Sequence, residues 1–96
     1  MLLMIQEFID TLMNACYTKT SCISVSDKIN NLNLSFSEII YDVRYESLDD
    51  NRTEISINGS GGSEITFVVS ESDKIVFEDK IYFITTKNYD YVFSFV

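Results

Sequence analysis

The chain has 96 residues, and fifteen acidic side chains against seven basic ones give it a formal net charge of −8. A field of that sign repels phosphate backbones and anionic lipid, which argues against direct nucleic-acid or membrane binding and points to a basic protein as the complementary partner. With 46% hydrophobic residues and enough length for one core, a disordered tail is excluded, and residues 1–96 read as a single domain.

Residues 2–17 carry the first periodic signal. Ile5, Phe8, Ile9, Leu12, Met13 and Cys16 recur at three- and four-residue spacing, while Glu7, Asp10, Thr11 and Asn14 fill the other side. That spacing predicts an amphipathic helix laid over a sheet. The apolar start lacks the basic residues of a signal peptide, and Gln6, Glu7 and Asp10 interrupt it early. No stretch reaches the ~20 apolar residues that span a bilayer, so a cytoplasmic location is expected. Residues 18–31 are rich in Ser, Thr and Asn, which favours turns, with a short strand through Ile23 and Val25.

An antiparallel sheet is expected over 32–96. Leu32, Leu34 and Phe36 form an even-numbered apolar set, and Ile39, Tyr41, Val43 and Tyr45 an odd-numbered one. A period-two strand cannot change parity without a bulge, which places one near 35–38. Asp49–Glu54 then makes a turn, Ile55 and Ile57 face inward, and Asn58–Ser63 closes a hairpin that holds all three glycines. A further strand carries Ile65, Phe67 and Val69, and three short ones follow to the end. The expected fold is α+β: an N-terminal helix on a bent antiparallel sheet of about five to six strands in meander order.

Catalytic chemistry finds little to work with. With no histidine, neither Ser-His-Asp nor Cys-His pairing can be built. No metal site and no cofactor are expected. The oxygen donors Asp49, Asp50, Asn51 and Glu54 lack the spacing and central glycine of a calcium loop and are ordinary turn residues. Cys16 and Cys22 lie outside any CxxC motif and read as two thiols in a reducing cytosol, with a disulfide between them as the alternative in an exported chain. The glycine loop is followed by a strand and no Lys-Ser/Thr, so it is not a phosphate cradle.

What remains is charge. On the even positions of the strand Ser37–Ser47 sit Glu38, Asp42 and Glu46, with Arg44 as the only cation. Glu54 and Glu64 are expected outward on the next two strands, with Asp49 and Asp50 in the turn. Such a face, flanked by Tyr41 and Tyr45, offers carboxylates where a basic channel expects phosphates. In size, charge and the stretch SEIIYDVRYESLDDNRTE, the chain resembles phage-encoded anti-CRISPR inhibitors and other DNA-mimic proteins. That resemblance implies a non-enzymatic, stoichiometric inhibitor that occupies the nucleic-acid-binding surface of a nuclease effector. Two alternatives come from the residues themselves. One is an immunity-type protein against a basic toxin. The other is a homodimer or larger oligomer built through the apolar C-terminal run, with Tyr91, Phe93 and Phe95 at the interface.

Overall fold

The apolar spacing that begins at Ile5 folds as α1 (Leu3–Ala15), and the alternating segments fold as seven strands in a computed structural model that describes the backbone of residues 3–96 and the side chains of 4–96. The strands are β1 (Thr20–Asp27), β2 (Leu32–Ser47), β3 (Arg52–Gly59), β4 (Glu64–Ser70), β5 (Lys74–Glu78), β6 (Ile81–Thr85) and β7 (Tyr89–Phe95). Their order in the sheet is β4-β3-β2-β1-β7-β6-β5, and every pairing is antiparallel. Consecutive strands are neighbours except β4 and β5, and β7 returns to β1. β4 and β5 are thus the two edge strands of the sheet.

The strand count exceeds the expected five to six because the segment 18–31 contributes β1, longer than the short strand anticipated there. Its outward positions Thr20, Cys22, Ser24 and Ser26 are polar or small, which reads as loop composition. Ile23, buried between Phe36 and Phe93, makes it a central strand instead. The helix ends two residues before the expected Tyr17, which adopts a positive φ of 64°. The expected start at Leu2 lies outside the described residues.

The bulge is also displaced. The register between β2 and β3 shifts between Ile40 and Asp42, not at 35–38. Even positions therefore keep facing the concave side through Ile40, which is 1% exposed. Ile39 and Tyr41, expected inward, are exposed, and inward parity resumes at Val43 opposite buried Ile57. Two adjacent isoleucines leave the parity ambiguous in the sequence. The end of α1 resolves it, because the Tyr17 amide donates to the Ile40 carbonyl at 2.9 Å and pins that residue beneath the helix.

Phe8 sits where the two wings of the sheet meet. Its ring lies 4.8 Å from Phe93, 5.1 Å from Tyr82 and 6.4 Å from Phe67, each edge-on. Ile5, Ile9 and Leu12 extend this contact to Ile23, Ile40, Ile55, Ile57, Val69 and Ile84 in one core. The C-terminal run, offered above as one possible oligomer interface, forms an interior strand of the sheet. β7 lies between β1 and β6, Tyr91 and Phe93 are buried, and Phe95 packs against the core. Tyr91 and Phe93 thus belong to the core, while Phe95 is half-buried against it. No described helix is long and apolar enough to cross a membrane.

Candidate acidic interface

Beyond the bulge, β2, β3 and β4 turn one face to solvent, and the register sets its rows. Asp42 pairs with Asn58, which pairs with Glu64; Arg44 pairs with Ser56 and Ser56 with Thr66; Glu46 pairs with Glu54 and Glu54 with Val68. Paired residues share a face, so Asp42, Glu46, Glu54 and Glu64 converge around Arg44. The opposite face of the same strands carries Ile55, Ile57, Phe67 and Val69 into the core, which fixes which side is wet.

The cations are committed locally. Arg44 Nε lies 3.0 Å from Asp42 Oδ2, and Asn58 donates to the same oxygen at 3.4 Å. Arg52 Nε bonds Asp49 Oδ2 at 2.8 Å in the turn before β3. Glu46, Glu54 and Glu64 have no ion-pair partner among the described residues. Glu46 and Glu54 stand directly across from each other, with Cβ atoms about 5 Å apart, an arrangement that costs stability. A depression of about 380 Å³ lies here, lined by Arg44, Tyr45, Glu46, Glu54 and Ser56.

Two expected members of this face do other work, and a third lies at its end. Glu38 precedes the bulge and so projects from the concave side of the strand, with Phe36 and Ile40. Its Oε1 accepts hydrogen bonds from the Gly61 amide and, at 3.4 Å, the Ser63 amide, stapling β2 to the β3–β4 turn. Hydrogen bonding from Ser63 and then Gly61 holds its carboxyl below the usual range, against an opposing desolvation effect. The glycines acquire a reason here. A Cβ on Gly59 or Gly61 would lie 2.7 Å from that oxygen, whereas Gly62 has open space and is required by its φ of 89°. Asp49 is a turn residue: its Oδ1 accepts the Asn51 amide at 2.9 Å, and its carboxyl is lowered by that bond and by Arg52. Asp50 is exposed in the same turn, at the end of the face.

The tyrosines separate from the carboxylates. Tyr41 is the bulged residue and is 46% exposed, while Tyr45 pairs with buried Ile55 and so belongs to the concave side, at its open margin. Val68, 39% exposed in the Glu46–Glu54 row, is an apolar member that the alternation of β4 implied but charge counting passed over. Cys16 and Cys22 are both free thiols, and burial, then Asp42, raises the pKa of Cys16. No family model, curated protein or solved structure matches the chain.

Proposed function

We propose that this protein is a non-enzymatic binding module whose face of Asp42, Glu46, Glu54 and Glu64 docks on a cationic protein surface, blocking it as a nucleic-acid mimic would. One observation carries the reading: Glu46 opposes Glu54 across neighbouring strands, and neither is ion-paired among the described residues. Stability alone disfavours that pair, and a partner's Lys or Arg would relieve it. The net charge of −8 steers such a partner toward the molecule and away from polyanions. The narrower form, suggested by the class resemblance, has a CRISPR nuclease effector as partner and its DNA-binding channel as the occupied site. Within that channel Glu46, Glu54 and Glu64 stand in for phosphates, Asp50 extends the row, and Val68 adds an apolar contact.

A competition assay tests this. Purified protein is titrated against complexes of a CRISPR nuclease panel with target DNA, at low and high salt. Wild type displaces DNA from at least one effector, and the displacement weakens as salt rises. Glu46→Lys with Glu54→Lys abolishes displacement while the circular dichroism spectrum stays unchanged. Displacement by the folded double variant equal to wild type, or none by wild type from any effector, removes the proposal.

A further inference from the structure

We infer that the first half of β2 is a self-association edge, and that two copies of this chain pair antiparallel through residues 32–37 about a two-fold axis at Leu34.

β1 hydrogen-bonds one side of Leu32–Ile39, and β3 begins its pairing only at Ile40. Among the described residues, the other side of 32–37 therefore has no strand beside it. Which backbone groups face that gap follows from two bonds. The Thr20 amide and carbonyl are exchanged with Val96, so even positions of β1 bond β7 and odd positions bond β2. The Ile39 carbonyl accepts the Ser60 amide from the β3 side. By alternation, the amides and carbonyls of Asn33, Ser35 and Ser37 point into the gap.

The other edges are defended. On β4, the Asp73 carboxylate takes the Ser70 amide at 2.8 Å, the Ser70 carbonyl accepts the Asp73 amide, and Glu64 stands at the far end. β5 is five residues long and begins and ends on charges, Lys74 and Glu78. Short edges and edge charges are the usual protections against strand pairing. The β2 edge has neither. From Ile29 to Ser37 the chain is INNLNLSFS, without charge or proline, in a protein of net charge −8. Leu32 and Leu34 are 66% and 63% exposed.

Charge selects the occupant. A second copy is repelled wherever two acidic surfaces meet, and this edge is an exposed stretch where neither copy carries charge. The register is self-complementary as well. An axis at Leu34 sets Leu34 opposite Leu34 and Leu32 opposite Phe36, so all apolar side chains of one face meet apolar partners. Asn33 then exchanges backbone bonds with Ser35. Glu38 stays outside the paired stretch and keeps its bonds to Gly61 and Ser63.

Sedimentation equilibrium tests the inference. Wild type gives a mass near twice 11.1 kDa at high concentration. Leu34→Lys, which places like charges at the axis, and Ser35→Pro, which removes an edge donor, each return the monomer mass with an unchanged circular dichroism spectrum. In a Cys16→Ser, Cys22→Ser background, Leu34→Cys cross-links to a covalent dimer on mild oxidation, whereas the exposed Leu48→Cys does not. Wild type that stays monomeric at millimolar concentration, dimers that survive both substitutions at 34 and 35, or equal cross-linking at 34 and 48 overturns the inference.

Discussion

The two halves of β2 obey one rule of alternation and face opposite circumstances. Before the bulge, Leu32–Ser37 is uncharged, bonded on one side only, and leaves leucines in water. After it, Asp42–Ser47 carries charge on the wet face and sets Val43 above a core of Ile55 and Ile57. The difference lies in what covers each half. The Tyr17–Ile40 bond brings the end of α1 to the junction, while Leu32 and Leu34 run past the core. Alternation identifies a strand, and coverage decides which of its apolar residues become core.

The strongest way to break this division is at the joint. Ile40→Ala removes a buried side chain beneath the helix, and urea denaturation is expected to register a loss of about 2–5 kcal/mol. The β3–β4 turn that seats on the joint gives a smaller effect. Gly62→Ala keeps the Glu38 staple but forces alanine to a φ of 89°, which is expected to cost about 1–2 kcal/mol in the same measurement.

Acid sharpens the comparison further. The folded-state pKa of Glu38 lies below its ordinary 4.5, so its contribution is present above that value and is lost as pH falls through the folded one. Glu38→Gln is therefore expected to flatten the fall of Tm below pH 4.5, as read by differential scanning calorimetry. A residual slope persists from Asp27, lowered chiefly by hydrogen bonds from Asn30, and from Asp49. The smallest effect has the opposite sign. Glu54→Lys converts the repulsion with Glu46 into attraction and is expected to stabilise the fold by roughly 0.2–1 kcal/mol. A loss of stability there would mean that the two carboxylates are not opposed as the register places them.

Much of this architecture was legible in residue order. The helix follows from Ile5, Phe8, Ile9 and Leu12, and the strands after Asp49 follow from their alternation and turn residues. Three things were not. β1 hid behind serines because a strand can be central with only one face apolar. The bulge was misplaced because Ile39 and Ile40 fit either parity until α1 is laid against one of them. On β6 both alternating sets, Ile81 with Phe83 and Tyr82 with Ile84, are apolar, and only pairing with Phe93 and Tyr91 turns Tyr82 and Ile84 inward. Four of the seven expected carboxylates, Asp42, Glu46, Glu54 and Glu64, do share a face. Glu38 was lost to it by the bulge, and Asp49 and Asp50 belong to the turn at its end.

The pairing of β1 with β7 sets an order of assembly. Ser21 meets Phe95 and Ile23 meets Phe93, so the middle of the sheet joins segments far apart along the chain. Until Tyr89–Phe95 leaves the ribosome, Ile23 and Phe8 lack their shared neighbour. Contacts of such sequence separation slow folding. The hydrophobic interior stays uncovered until that distant pairing forms.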